Sequence, residues 1–409
     1  MNISEHLQDP AALERLYRID KNAFRKQFDA LYSDHAGEPV METWRARLTY
    51  ASSADISWGS QRELLLMIAG GLLAGFIAKI PQYFGVSEEF FYQRNMAFII
   101  FPILTLYFLW RNHADVRKWS IAMALSLAGL LFINLLWKQS AHSDTLVLSC
   151  IHLPLFLWSI LGYAYGSKQE NRALYLRYNG DLIVMTTLIL IAGAIMSGVT
   201  IALFELIGFS IAEVYMENVG VFGAAASPIV ATYLVQMNPQ LVGRVSPVIA
   251  RIFSPLVLIM VSFFLIAVVQ SKKDPYNDRE FLLMFNGLLI GVIAIIFFAV
   301  GELSRSQTSV FGKVVLFLLS VVTIIVNGIA LSAILFRLQG GITPNRLAVL
   351  GGNILFLINL VWISVSLFKA SFRNGHVDDV DAVVSKFLPI LAAWTVVVTF
   401  LFPLIFGFK

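Results

Sequence analysis

The sequence predicts an all-α fold, a polytopic transmembrane helical bundle of about eleven spans that follows a small helical segment at the N-terminus. Of the 409 residues, 58% are hydrophobic and only 14% are charged, whereas soluble domains are about 45–50% apolar and about 25% charged. Apolar runs of helix length recur along the chain, and alternating ten-residue strands of the barrel type are absent from the pattern. The charges concentrate early, with 17 of them in residues 1–62. We therefore divide the chain into residues 1–62 and 63–409.

Residues 1–62, called the head below, are predicted to be helical and cytoplasmic. In residues 10–32 apolar side chains recur at helical spacing among charged ones, the pattern of an amphipathic helix. These side chains are Leu13, Leu16, Tyr17, Phe24, Phe28 and Leu31. Residues 41–58 predict a second helix. Because about sixty residues are marginal for an independent core, we interpret the head as a cap on the membrane domain. Docking of a cytoplasmic protein, or contact with the membrane surface, is the alternative.

Residues 63–409 contain eleven apolar runs near the length of about 20 residues that a helix needs to cross the hydrocarbon core. They are 64–84, 96–110, 119–137, 145–165, 181–204, 219–235, 249–269, 281–300, 310–336, 348–368 and 387–408. The second run is short, and the sixth contains Pro228. Ten spans plus a re-entrant loop at 219–235 therefore remain an alternative.

The Lys and Arg residues predict the orientation, because they concentrate in cytoplasmic loops. With the N-terminus inside, thirteen of them fall in cytoplasmic connections and nine on the opposite side. The contrast is weaker in the C-terminal half, where Lys272, Lys273 and Arg279 fall outside. We expect a multi-pass protein with a cytoplasmic N-terminus.

An acidic stretch between the fifth and sixth runs is the first candidate for function. Glu205, Glu213 and Glu217 occur there without any Lys or Arg between residues 203 and 235. On one continuous helix they would share a sector of about 120° and line one wall. Interrupted helices beside carboxylates form the ion sites of many transporters. The alternative is a solvated acidic loop on the far side of the membrane.

A second group of candidates lies in the later spans. Arg251 stands between Pro247 and Pro255, where it can pair with Glu205 or Glu302, or extend to the membrane surface. Asn286, Asn327, Asn353 and Asn359 recur inside spans. Most such amides join helices by hydrogen bonds. Together they indicate that the C-terminal half has the more polar interior and is the better location for a hydrated ion path.

The segment GITPNR at 341–346 predicts a helix start. Thr343 is suited to be the N-cap and Pro344 the first helical residue. Arg346 then falls in the first turn, where its charge opposes the helix dipole; a lipid phosphate is one explanation. Gly341, Thr343, Asn345 and Arg346 form this helix-entry motif.

The GITPNR motif, together with ETWRARLTY at 42–50, resembles an uncharacterised family of bacterial polytopic membrane proteins, domain of unknown function 4153. The resemblance would cover most of the chain. It implies a location in the bacterial inner membrane. It implies no activity, and no catalytic residue is transferred from it.

Enzyme and cofactor signals are weak. The six His residues form no paired metal spacing, the sequence has no HExxH or GxSxG motif, and the only cysteine, Cys150, excludes an intramolecular disulfide. We therefore predict no cofactor, and the net charge of +4 is too small to suggest nucleic-acid binding. The leading hypothesis is a permease-like or channel-like protein for an ion or small solute. A membrane scaffold or sensor whose head docks a cytoplasmic partner is second, and an intramembrane enzyme is third.

Overall fold

A computed structural model describes residues 3, 6–7, 9–19, 21–32, 35, 37–49, 59–135, 143–206, 209–239, 245–270, 276–303, 310–373 and 375–408. The chain divides into two compact units, Met1–Ser57 and Trp58–Lys409. The first unit comprises the head without its last five residues, 58–62. The second unit is called the membrane domain. Each is described separately.

The head contains three helices, α1 (Pro10–Ile19), α2 (Lys21–Tyr32) and α3 (Pro39–Thr49). The predicted single helix over 10–32 is thus two helices, because folding back lets both apolar faces bury against each other and against α3. Phe24 is fully buried, and its ring lies 4.8 Å from that of Trp44 and 5.6 Å from that of Tyr17, measured between centroids. The predicted apolar face forms this core. Residues 50–58 of the second predicted helix lie outside the described residues.

A hydrogen-bonded carboxylate joins α2 to α3. The Tyr32 hydroxyl donates to Glu42 Oε1 at 2.5 Å, and the Gly37 amide donates to the same oxygen at 3.4 Å. Arg45 contacts both the Tyr32 hydroxyl and, at 4.5 Å, the face of its ring. The hydrogen bond from Tyr32 lowers the pKa of Glu42 below its ordinary value of 4.5.

This arrangement makes the α2–α3 connection sensitive to acid. Because the pKa of Glu42 is lowered in the folded state, its ionised carboxylate stabilises the α2–α3 connection at pH values above the ordinary pKa. This stabilisation is lost as the pH falls through the lowered pKa. We expect amide exchange at Gly37, corrected for intrinsic rate, to accelerate in acid, and Tyr32→Phe to shift that loss to higher pH. Hydrogen–deuterium exchange of the full-length protein checks this. Equal midpoints in both proteins would contradict it.

The membrane domain is helical throughout its described length. Its helices are α4 (Gln61–Ala78), α5 (Ile80–Phe84), α6 (Glu88–Asn95), α7 (Phe101–Arg111), α8 (Val116–Leu135), α9 (Asp144–Tyr165), α10 (Gln169–Leu206), α11 (Ala212–Tyr215), α12 (Val221–Met237), α13 (Val245–Gln270), α14 (Arg279–Leu303), α15 (Val310–Leu338), α16 (Pro344–Phe372), α17 (Val377–Val396) and α18 (Phe402–Ile405). Within the described ranges ten helical stretches are long and apolar enough to cross a membrane. The predicted all-α polytopic bundle is confirmed, and the chain is an integral, multi-pass membrane protein.

The second predicted span, 96–110, keeps its bounds to within one residue, whereas the first ends at Ala78 and the eleventh begins at Val377. The second is a 3₁₀ turn (Met96–Ile99) followed by α7, so it is shorter than the other spans. The fifth begins at Gln169 instead of 181, because polar and aromatic residues before Asp181 hide the helix from a hydropathy criterion. The sixth, by contrast, belongs to a continuous helical stretch of 26 residues, Ala212–Met237. That length fits a full crossing better than a re-entrant loop.

Contacts between helix termini define two ends of the membrane domain. At one end, Arg111 pairs with Glu63, and the Asn112 amide donates to the carbonyls of Ala164 and Tyr165. We call this the Glu63 end. At the other, the Lys79 ammonium donates to the Glu217 carbonyl, and the Ser143 hydroxyl donates to the Phe408 carbonyl. We call this the Lys79 end. Successive crossings, with 96–111 counted as one, alternate between these ends.

Close packing of α4 on α12 depends on missing side chains. A Cβ atom built on Gly71 would lie 3.2 Å from the Cβ of Ala226, and one built on Gly75 would lie 2.1 Å from the ring of Phe222. Small residues that let backbones approach are typical of membrane helix interfaces. The small residues that follow Gly220 in the sequence pack in this way, with Ala225 and Ser227 buried.

Six irregularities, four prolines and two π turns, lie within the described spans, and Pro154 in α9 is one of them. At four of the other five, a side chain covers a carbonyl. A proline removes the donor for the carbonyl four residues earlier. Pro228 removes the helical donor of Ala224 O, and the Ser227 hydroxyl donates to that oxygen instead. Pro389 removes the helical donor of Ser385 O, to which Arg172 donates. The two π turns are Met216–Gly220 and Val397–Leu401. In the first, Glu217 O accepts a hydrogen bond from Lys79, and in the second, Thr399 O accepts one from Ser149, each at 2.8 Å. The fifth irregularity, at Pro255, borders a cavity.

Replacing Gly75 by Ala tests the α4–α12 contact. The Phe222 ring has to move, and overpacking of this kind costs about 1–3 kcal/mol. We expect a lower melting temperature for Gly75→Ala in detergent, measured by thermal unfolding. Gly223→Ala on α12 is the matched control, because nothing lies within 4 Å of its added Cβ. Equal melting temperatures for the two variants would contradict the described contact.

Candidate functional site

Arg177 on α10 is the centre of a charged cluster near the Glu63 end. Its Nε donates to Gly301 O on α14 at 2.6 Å, and its guanidinium pairs with Asp381 on α17 at 2.5 Å. Both side chains are largely buried, at 22% and 12% exposure. One residue thus joins three helices. Breaking such a buried pair by removing one partner typically costs about 3–5 kcal/mol.

Asp181 lies one turn after Arg177 and is 5% exposed. The hydroxyl of Ser246, near the start of α13, donates to Asp181 Oδ1 at 2.6 Å. Charged groups placed inside a membrane span are functional candidates by default. Arg177, Asp181 and Asp381 were not among the predicted site residues. Arg177 and Asp381 fall between predicted spans, and Asp181 is the first residue of the predicted fifth run. The signal that would have found them is that Arg177 and Asp181 stand one turn apart, directly before a long apolar run.

Glu302 lies next to Gly301, near the end of α14, and only 2% of its surface is exposed. It borders a cavity of about 40 Å³ between α13, α14 and α15. Arg251, Ser254 and Pro255 line the opposite wall. Arg251 and Glu302 thus line one cavity, and the Arg251 side chain is exposed, as the alternative of extension to the membrane surface requires. A cavity of this size has room for a water molecule, since about 10–15 Å³ is sufficient.

Two oxygen atoms of α13 belong to residues that line this cavity. Pro255 has no N–H, so the carbonyl of Arg251 loses its helical donor. The Ser254 hydroxyl is buried and donates to Ala250 O at 2.7 Å, which leaves its lone pairs available as acceptors. A carboxylate, a carbonyl and a hydroxyl oxygen thus belong to the wall residues of one small cavity. Oxygen ligands of this type suit hard cations such as Na⁺, or a proton carried by water.

The asparagine candidates form a bridge across three helices. Asn353 Nδ2 on α16 donates to Asn286 Oδ1 on α14 at 2.9 Å, and Asn327 Nδ2 on α15 donates to Asn353 O at 3.1 Å. Asn286 in turn donates to Leu282 O. The fourth amide, Asn359, is 1% exposed and makes no hydrogen bond within the described part of the chain. Three of the four amides therefore hold helices together, as predicted for most of them.

The acidic stretch lies at the Lys79 end, away from the Glu302 cavity. The side chains of Glu205, Glu213 and Glu217 are exposed. Glu217 accepts a hydrogen bond from Gln82 at 3.1 Å. Asp181 and Glu205 belong to the same helix, and the rise between them is about 36 Å. Of the two predicted partners of Arg251, only Glu302 is therefore near it.

The helix-entry motif is a cap. Thr343 Oγ1 accepts from the Arg346 amide at 3.3 Å, Pro344 is the first residue of α16, and Gly341 has a φ of +108° that favours glycine. The Arg346 guanidinium folds back and donates to Gly341 O at 2.7 Å. Its unfavourable position in the first turn is thus offset by a bond to the preceding loop. Asn345 is half-buried within the same turn.

A second charged group missed in the sequence lies where α4 meets α7. Glu63 is 8% exposed, pairs with Arg111, and accepts a hydrogen bond from the Tyr107 hydroxyl at 3.0 Å. Ser60 caps the start of α4 by accepting from the Glu63 amide. This group joins the first two crossings and does not border the Glu302 cavity.

Comparison with protein-family models, with curated proteins and with solved structures finds no match to this chain. A function for this protein is therefore inferred from the geometry described above.

The asparagine bridge gives a testable difference between two substitutions. Asn353→Leu removes the bond to Asn286 and leaves that oxygen without its donor, so we expect a loss of about 1–2 kcal/mol. Asn327→Leu also removes one bond, but it removes a buried Oδ1 that has no partner among the described residues. We expect a smaller loss there. Thermal unfolding of both variants in the same detergent measures the difference, and the reverse order would contradict the described hydrogen bonds.

Proposed function

We propose that this protein is a permease-like or channel-like membrane protein, and that the cavity bordered by Glu302 binds the cation that it moves or that drives transport. The observation that carries the proposal is the lining of this cavity, which includes the buried Glu302 and Arg251, the residue whose carbonyl loses its helical donor to Pro255. Broken helices whose free carbonyls adjoin buried carboxylates form the ion sites of many transporters.

The surroundings of the cavity support a transport role. Gly301, adjacent to Glu302, is held by Arg177, and Arg177 also holds Asp381 on α17. Helix α13, which carries Ser254 and Pro255, is joined to α10 by the Ser246–Asp181 bond. A shift of α13 therefore affects the cavity and the charged cluster together. In this proposal Glu302 is the ion ligand, and Arg177 positions the helix end that carries it.

The location follows the distribution of basic residues. With the N-terminus in the cytoplasm, the Glu63 end and the Glu302 cavity face the cytoplasm. The resemblance of GITPNR to the bacterial family supports placement in the bacterial inner membrane. Labelling of single cysteines introduced in the head, in spheroplasts treated with a membrane-impermeant maleimide, tests the orientation.

Flux measurements with two Glu→Gln variants test the function. Purified protein in proteoliposomes is assayed for Na⁺, K⁺ and proton flux. We expect Glu302→Gln to reduce the flux by about tenfold or more, since losing one charged ligand removes at least ~1.4 kcal/mol of binding free energy. Glu205→Gln, an exposed carboxylate at the Lys79 end, is the matched control and should retain flux.

Three results would change the proposal. Equal flux in wild type and both variants would remove Glu302 from the mechanism. Loss in Glu205→Gln alone would move the ion site to the Lys79 end. Absence of flux for every cation in wild type would favour the second candidate function.

That second candidate is a scaffold or sensor whose head docks a cytoplasmic protein. It is favoured by the head, which forms a compact unit with its own aromatic core around Phe24 and Trp44. A soluble partner that co-purifies in stoichiometric amount with the full chain, and is lost when residues 1–57 are deleted, would support it.

A further inference from the structure

The Lys79 end contains a buried arginine without an anion. Arg94 on α6 is 9% exposed, and its Nε is buried. Within the part of the chain that the structure describes, Arg94 makes no hydrogen bond and no ion pair. The guanidinium carbon lies 4.0 Å from the ring centre of Phe90, and the Cys150 thiol on α9 is close enough to feel its charge.

An arginine in this position needs a counter-charge. The guanidinium remains protonated in any protein environment and offers five donors in a planar fork. A buried charge without a partner is strongly unfavourable, and a ring face compensates only a small part of it. The acidic residues nearest in sequence, Glu88 and Glu89 on the same helix, are exposed and form no ion pair with Arg94.

The helix that carries Arg94 is held firmly on both sides. The amides of Asn95 and Asn134 exchange two hydrogen bonds, of 3.0 and 2.8 Å, which join α6 to the end of α8. The Tyr92 hydroxyl donates to Ala78 O at 2.9 Å and joins α6 to the end of α4. The guanidinium is therefore presented from a fixed backbone, as expected for a binding group.

The position along the membrane normal indicates the class of ligand. Asn134 and Ala78 are at the helix ends that meet the Lys79 end, where the phosphates of lipid headgroups lie in a bilayer. The other buried cation at this end, Lys79, already donates to Glu217 O. The planar fork of arginine matches the oxygens of phosphate in a two-bond arrangement.

We infer that Arg94 binds a phosphate group at the Lys79 end, supplied by a phospholipid headgroup or by free phosphate. The site is separate from the Glu302 cavity and does not depend on the transport proposal. The donors are the guanidinium N–H groups, and the Phe90 face forms one wall.

Thermal unfolding of delipidated protein in a maltoside detergent tests this site. The added compounds are phosphatidylglycerol, a phosphate-free galactosyl diacylglycerol, inorganic phosphate and, at equal ionic strength, chloride. We expect phosphatidylglycerol or inorganic phosphate to raise the wild-type melting temperature by about 2–4 °C more than its phosphate-free counterpart. Arg94→Gln should lose that difference. Arg346→Gln, an arginine at the same end that is bonded to Gly341 O, is the matched control and should keep it.

The two sources give different results. A response to phosphatidylglycerol without a response to inorganic phosphate assigns the site to a lipid headgroup. A response to both assigns it to phosphate in general. The inference is overturned if wild type responds to neither, or if Arg94→Gln responds as wild type does. Should Arg94→Gln not fold, Arg94→Lys replaces it, since it keeps the charge and loses the fork. A smaller shift then supports the site, and an unchanged shift overturns it.

Discussion

The absence of water from the bilayer interior is the constraint on which this structure depends. Every backbone group inside the hydrocarbon has to find its hydrogen bond within the protein. A regular helix does so by itself, so each proline or π turn requires a donor from elsewhere. Ser227 and Arg172 supply that donor to carbonyls released by prolines, and Ser149 and Lys79 supply it at the two π turns. Much of the polar side-chain content of the membrane domain serves the backbone.

The Glu302 cavity stands out against this background. Pro255 removes the helical donor of the Arg251 carbonyl, and Arg251 and Glu302 both line this small space. The space is therefore a place where an external group could satisfy the backbone. Among the described residues, five charged ones are less than 10% exposed. Glu63, Asp181 and Glu302 lie towards one end, and Lys79 and Arg94 towards the other.

Much of the fold could be predicted from the sequence, because hydropathy reports how far each segment is from water. The spans were identified where the apolar run was complete, as in residues 145–165. They were misjudged where tertiary bonds hold polar residues in a helix, as at the start of α10. The cap at Thr343 was also predictable, since it depends on neighbours within four residues.

The site was less predictable, because it depends on which helix faces which. Nothing local states that Arg177 reaches Asp381, which is 204 residues later in the chain. The same applies to Arg94, whose importance arises from the lack of a partner. The acidic residues Glu205, Glu213 and Glu217 attracted interest through their number, yet their side chains are exposed. Arg251 and Glu302 line one cavity because each lies near the end of its helix at the Glu63 end.

The hydrogen bonds of α9 have a consequence for the order in which the bundle is assembled. Ser143 and Ser149 donate to the carbonyls of Phe408 and Thr399, partners synthesised 265 and 250 residues later. Helix α9 therefore enters the membrane long before the groups that complete it exist. Until the last crossing arrives, its hydroxyls have to be satisfied by their own helix, by lipid headgroups or by the insertion machinery. Helix α9 thus completes these hydrogen bonds only after residues 399–408 have been inserted. This part of the bundle is assembled late, through contacts between segments far apart in the sequence.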